Sequence, residues 1–153
     1  MTQEENARLV CRYFLEVWTA GNLSLVDELV SPEYVGHTPF GDFIGIEQER
    51  GRLEYIHDTF PGFQHTIEDE IVAGAKVVLR FSGMWLLQGE WMGIHGAGKQ
   101  MTGTGIIIYR VENGRIAESW LEEDLLGAIH QLGAQVVSSE PLETAQDDGR
   151  SSD

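Results

Sequence analysis

The chain has 153 residues, 42% hydrophobic and 23% charged, enough for one domain whose core needs no disulfide or metal staple. Asp and Glu number 25 against 10 Lys and Arg, a formal charge of −15, and so acidic a chain repels nucleic-acid phosphates and anionic lipid. The single cysteine, Cys11, excludes an internal disulfide or a thiolate metal cluster, and no apolar run approaches the ~20 residues of a membrane span or forms a signal-peptide core. The expectation is a cytoplasmic protein with no nucleic-acid and no membrane partner.

The first predicted element is an amphipathic helix, because Ala7, Val10, Cys11, Phe14, Val17 and Trp18 recur at three- and four-residue spacing. Thr2 and Glu5 have the form of a capping box, and Gly21 stands where a helix end favours a left-handed residue. A second helix, 23–30, stops at Ser31-Pro32, and residues 36–42 read as a loop rich in turn formers. A third helix spans about residues 46–59 and ends before Pro61. From Phe63 the alternation changes to period two. Strands are predicted at 64–72, 76–85 (continuing toward Trp91), 101–111 and 115–122, broken at Ala73-Gly74-Ala75, 93–98 and Asn113-Gly114. Asp124 opens a last short helix, 125–132, and residues 138–153 form an acidic tail predicted to be disordered, leaving one domain at 1–137. Three helices followed by an antiparallel sheet is an α+β order.

A short sheet covered by helices on one face curls and leaves a pocket between the two layers. Alternation puts Met101, Gly103, Gly105, Ile107 and Tyr109 on one face of their strand. A two-residue turn at Asn113-Gly114 would set Ile108 opposite Ser119. A three-residue loop would set Ile107 opposite Ser119 and Gly105 opposite Leu121. The second is preferred, since it turns Gly103 and Gly105 inward, where missing side chains leave room for a ligand; a bulge or barrel corner would use the same glycines. The candidate wall is Trp85, Leu87, Trp91, Met101, Gly105, Ile107 and Leu121 from the sheet, with Trp18, Tyr55, Phe60 and Phe63 from the helical part. Aromatic sets pack as core more often than they bind, but a few at the wide end could hold a flat apolar ligand.

Polar candidates are few. His37, beside glycines and prolines, titrates near neutral pH, although a backbone-bonded loop histidine would look the same. Asp42 shares its loop. Asp124 is either a catalytic carboxylate or the cap of the last helix, and Ser119 faces inward with no base beside it. Arg110, Glu118 and Glu122 fall on the opposite face. His57, His65, His95 and His130 lack metal-ligand spacing, so no metal is expected. A P-loop, a dinucleotide glycine motif, a nucleophile elbow and a His-Glu-x-x-His helix are all missing, which leaves phosphate and nucleotide chemistry unsupported.

Several runs together resemble the SnoaL-like polyketide cyclases over residues 4–134. They are Tyr34-Val35-Gly36-His37-Thr38-Pro39, Phe60-Pro61, and Gly89-Glu90-Trp91-Met92-Gly93-Ile94 with Gly98-Lys99. Further along come Arg110-Val111-Glu112-Asn113-Gly114-Arg115-Ile116-Ala117-Glu118-Ser119-Trp120 and Asp124-Leu125-Leu126-Gly127 with Gln131-Leu132-Gly133. The resemblance implies a nuclear transport factor two-like fold: a cone-shaped α+β barrel, three N-terminal helices on a strongly curved antiparallel sheet. It also implies ring closure on a polyketide, usually by an intramolecular aldol step with no cofactor, although relatives open epoxides, hydroxylate or only bind ligands. By the same resemblance an acid/base Asp of the aldol cyclases corresponds to Leu121, a His to Ile107, a Gln to Gly105, and Gly-Thr-His to Trp85-Leu86-Leu87. Leucine moves no proton.

The expectation is therefore a cofactor-independent polyketide cyclase of secondary metabolism (antibiotic biosynthesis). It would act mainly by orienting a small apolar polyketide-like substrate, by aldol-type or cycloaddition-type closure, with limited help from His37, Ser119 and Asp124. Two alternatives stand beside it: a non-catalytic apolar-ligand-binding or assembly module, and an epoxide-opening hydrolase or ether cyclase, which needs two inward carboxylates. Ile106, Ile108 and Trp120 beside Arg110 and Glu118 on the convex face predict a homodimer or higher homo-oligomer.

Overall fold

Local signals start the helical layer where the sequence places them. The computed structural model describes residues 1–139, so the acidic tail lies outside the described residues from 140 onward. Thr2 Oγ1 accepts the Glu5 N–H and the Glu5 carboxylate accepts the Thr2 N–H, closing the capping box that opens α1 (Gln3–Arg12). The helix then widens into a π-helical segment, Tyr13–Thr19, in which the Thr19 hydroxyl donates to the Phe14 carbonyl. Gly21, at φ +76°, turns the chain out of it. A 3-10 turn (Leu23–Leu25) leads into the single-turn α2 (Val26–Leu29). The third helix, α3 (Ile46–Thr59), has the predicted bounds.

Between α2 and α3 the chain departs from the sequence reading. The supposed loop is a hairpin: β1 (Val30–Thr38) pairs antiparallel with β2 (Gly41–Ile44) around Pro39-Phe40. Next come β3 (Gln64–Ala73), β4 (Lys76–Leu87), the short hairpin β5 (Glu90–Trp91) and β6 (Ile94–His95), β7 (Lys99–Glu112), β8 (Arg115–Glu123) and α4 (Leu125–Gln131). The main sheet has the order β2-β1-β8-β7-β4-β3, and β1 lies parallel to β8. The fold is thus α+β, four helices on a curved six-stranded sheet that is mostly, not wholly, antiparallel.

The β7–β8 register is set by two devices. Asn113 and Gly114, at φ 50° and 73°, make a two-residue turn with Glu112 opposite Arg115. A bulge at Ala117 then adds one residue to β8, so Tyr109 faces Ser119 and Ile107 faces Leu121. Neither connection weighed from the sequence gives this pairing; the face is that of the three-residue loop, offset by two residues. Gly103 and Gly105 do point inward, but rings occupy the space. A Cβ on Gly103 would lie 2.6 Å from the Trp85 ring, and one on Gly105 would overlap Phe81 and come within 2.9 Å of the Glu122 carbonyl. The glycines let the sheet bend around aromatic side chains.

Two clusters fill the interior. Tyr13, Phe14, Tyr34, Leu53, Phe81, Ile107 and Tyr109 belong to the first, and Phe60, Leu87, Trp91, Met101, Ala128, Ile129 and Leu132 make the second, beneath α4. Among the described residues no helix is long and apolar enough to cross a membrane.

Replacing Gly105 with Ala should destabilise the fold by ~1–3 kcal/mol, because the Glu122 carbonyl is backbone and yields poorly. Gly51→Ala, where the added methyl meets open space on α3, should be neutral or stabilising by ~0.5–1 kcal/mol. Urea midpoints test the pair; equal midpoints for parent and Gly105→Ala would contradict the packing described.

Candidate active site

Between α3, α4 and the concave face of β7–β8 lies a cavity of about 360 Å³. Phe43, Tyr55, Phe60, Phe63, Trp85, Trp91, Met101 and Leu121 supply most of its wall, and Arg52, Glu123, Asp124, Thr38 and Thr104 are its polar members. The β1–β2 turn and the β5–β6 hairpin frame it: Trp91 meets Phe60 edge-on at 5.7 Å and Phe40 at 6.3 Å between ring centroids.

Of the residues singled out from the sequence, Tyr55, Phe60, Phe63, Trp85, Trp91, Met101, Gly103, Leu121 and Asp124 line this cavity. Trp18, Leu87, Gly105 and Ile107 sit behind the lining. Leu87 packs over Gly96, Gly105 under Phe81, and Ile107 lies in the first core cluster. Trp18 is 3% exposed and backs onto Phe63 and His65. Burial pushes His65 down to about 4. Ser119 faces in as expected, but its Oγ lies 2.6 Å from Tyr34 Oη in the closed core. Asp124 accepts the Gly127 N–H at 2.9 Å and caps α4.

His37 does not reach the cavity. On β1 it follows Gly36, which is buried, so alternation turns its ring to the outer face, where it stacks on Trp120 at 5.5 Å. Its Nδ1 lies 2.9 Å from Asp42 and its Nε2 3.1 Å from Glu118, which also accepts from Arg110 Nε. Hydrogen bonds to Glu118 and Asp42 raise the His37 pKa above its ordinary value.

Two groups that the sequence reading passed over dominate the polar end. Glu123 lies two residues beyond Leu121 on the same face of β8, so the alternation Ser119-Leu121-Glu123 was the available signal. Burial lifts its carboxyl to about 7, and the Arg52 charge offsets only part of that rise. Arg52, on α3, donates through Nε and Nη2 to both carboxylate oxygens of Glu49, at 2.8 and 2.7 Å. Glu49 is fully buried and also accepts the Tyr13 hydroxyl at 2.5 Å. The guanidinium lies over the rings of Trp18 and Phe43, 5.6 and 5.4 Å from their centroids. Burial works to lower the Arg52 pKa, but the charge and hydrogen bonds of Glu49 outweigh it and hold the group cationic. Among the described residues no three His, Cys, Asp or Glu side chains come together as metal ligands.

The chain belongs to the SnoaL-like polyketide cyclase family, whose sequence model matches residues 8–132. TsrD from Streptomyces laurentii shares 30% identity over 88% of this chain and 99% of its own, with a TM-score of 0.78. A candidate polyketide cyclase from Bacillus cereus ATCC 10987 is 27% identical over 87% of this chain and 85% of its own, at a TM-score of 0.70. IdmH from Streptomyces antibioticus, a candidate polyketide cyclase, has the same fold at 24% identity, covering 84% of this chain and 99% of its own, at 0.72. No protein with a curated description matches the sequence.

Both shifted groups have signed consequences for stability. Unfolded, Glu123 loses its proton near 4.5; folded, it keeps it to about 7, so the penalty grows above pH 4.5 and is complete above 7. Glu123→Gln should therefore stabilise the protein at pH 8 by ~1–3 kcal/mol and leave it unchanged at pH 4. His37 has the opposite sense: its raised value adds stability below the unfolded pKa near 6.5, lost as pH climbs through the folded one. His37→Gln should destabilise most at pH 6, with the gap narrowing by pH 9. Thermal melts across pH check both, and pH-independent differences would contradict them.

Proposed function

We propose that the protein closes a ring on a polyketide intermediate of secondary metabolism, folding the chain against the aromatic wall and moving one proton through Glu123. The observation that supports this reading is the Glu123 carboxyl, lifted by burial to about 7, at the polar end of a cavity whose wall is mostly apolar and aromatic. In an aldol-type closure the ionised Glu123 takes a proton from the carbon between two carbonyls. The resulting enolate carbon attacks a further carbonyl along the chain, forming the ring bond, and the alkoxide takes the same proton back, so the enzyme ends as it began. Orientation supplies the remainder, since Phe60, Trp85 and Trp91 hold a flexible chain near its reactive conformer.

Leu121 stands where the family resemblance places an Asp, and Glu123 offers a carboxyl two residues along the same strand face. Asp124, the other lining carboxylate, is held by the Gly127 N–H. That leaves one free acid and disfavours a two-carboxylate opening of epoxides.

Incubated with a linear poly-β-keto precursor, the protein should accelerate formation of the cyclised product, with kcat/KM rising to a plateau above about pH 7. Glu123→Gln should lower kcat by ~10²–10⁴-fold and abolish that pH dependence. A Glu123→Gln enzyme with the parent rate would contradict the proton-transfer role and leave closure to orientation alone.

A further inference from the structure

We infer that the cavity is built for a substrate that keeps a free carboxylate, which Arg52 would hold; this rests on the reading of the cavity as the substrate site. Arg52 is the one cation among the described residues that line it. A guanidinium carries five N–H donors in a planar fork. Glu49 takes two of them, Nε and one on Nη2, along a single edge. The buried Tyr34 hydroxyl also lies within hydrogen-bonding reach of the guanidinium, and the donors then left on Nη1 and Nη2 are those a ligand carboxylate would take.

The group is also set in place before any ligand arrives. Glu49 is anchored by Tyr13, the guanidinium is over Trp18 and Phe43, and the side chain is only 9% exposed. Little conformational freedom is left to lose on binding, and the low-dielectric surroundings strengthen a charge-assisted bond. The apolar body of such a substrate would lie along Phe60, Trp85 and Trp91, which face the same space.

Charge balance sets the pH behaviour. Glu49 and Arg52 already sum to zero, so an arriving carboxylate adds one negative charge beside Glu123. The titratable groups that share the cavity with Glu123 are Arg52 and Tyr55 from α3 and its neighbour Asp124. None of these offers a second positive charge. Glu123 therefore binds a proton together with the ligand, and affinity for a carboxylate falls as pH rises above about 7.

Calorimetric titration of the intact protein with 2-naphthoate and with the neutral isostere 2-naphthamide tests this directly. At pH 6 naphthoate should bind at least about tenfold more tightly than naphthamide. Near pH 8 its binding should weaken and take up a proton, read from the buffer dependence of the heat. The double variant Glu49→Met/Arg52→Met removes both charges together and avoids stranding a buried carboxylate. It should keep naphthamide binding and lose the preference for naphthoate. Equal affinities in the parent protein would overturn the carboxylate site while leaving the cavity reading intact; failure of both ligands to bind would overturn both. The parent comparison decides the matter even if the double variant does not fold.

Discussion

The ion pair between Glu49 and Arg52 organises the polar end of this structure. Two charges on successive turns of α3 have been taken out of water, Glu49 completely and Arg52 to 9% exposure. Each transfer costs several kcal/mol, which only excellent geometry offsets. Here the geometry is a two-point guanidinium–carboxylate contact, a tyrosine hydroxyl on the carboxylate and aromatic rings over the cation. The π-helical segment supplies two of these partners, Tyr13 on Glu49 and Trp18 beneath Arg52. A pair of this kind adds little net stability over an apolar replacement. What it adds is a fixed cation at the edge of an apolar cavity, and a fixed roll of α3 against the rest of the helical layer.

From that arrangement follow two neighbouring acids with different fates. Asp124 receives a helix N–H and serves as a cap, whereas Glu123 has no hydrogen-bond partner among the described residues and shares the cavity with aromatic rings. The Arg52 charge tempers the effect of burial on Glu123 without cancelling it. A carboxyl left in that condition weakens the fold above neutral pH, and such a local weakness is expected where a side chain must both give and take a proton. The outer face spends its charges differently. His37, Asp42, Glu118 and Arg110 satisfy one another there, across the sheet from the cavity.

Much of the fold was legible because it rests on local rules. The Thr2–Glu5 capping box, the bounds of α3, the period-two strands from Gln64 onward and the Asn113-Gly114 turn all act within a few residues. The β1–β2 hairpin was not legible, since Gly36, Pro39 and Gly41 read as breakers and the parallel pairing that holds β1 against β8 joins residues far apart in the chain. The Ala117 bulge carries no sequence mark either, and it shifts the cross-strand partners by one residue, setting Tyr109 rather than Ile108 opposite Ser119. At the site, aromatic lining residues were legible by alternation. Glu49 and Arg52, three apart on a helix, look like an ordinary solvent-exposed pair, and only tertiary packing reveals their burial. Glu123 was accessible by parity with Leu121, yet a carboxylate at a strand end reads as surface.

The proposed chemistry depends on the proton affinity of one side chain. A carbon-13 NMR titration of the glutamate carboxyls, with Glu123 assigned by comparison with its glutamine variant, measures that affinity directly. The structure predicts a midpoint near 7 for Glu123. A midpoint at the ordinary glutamate value near 4.5 would contradict it.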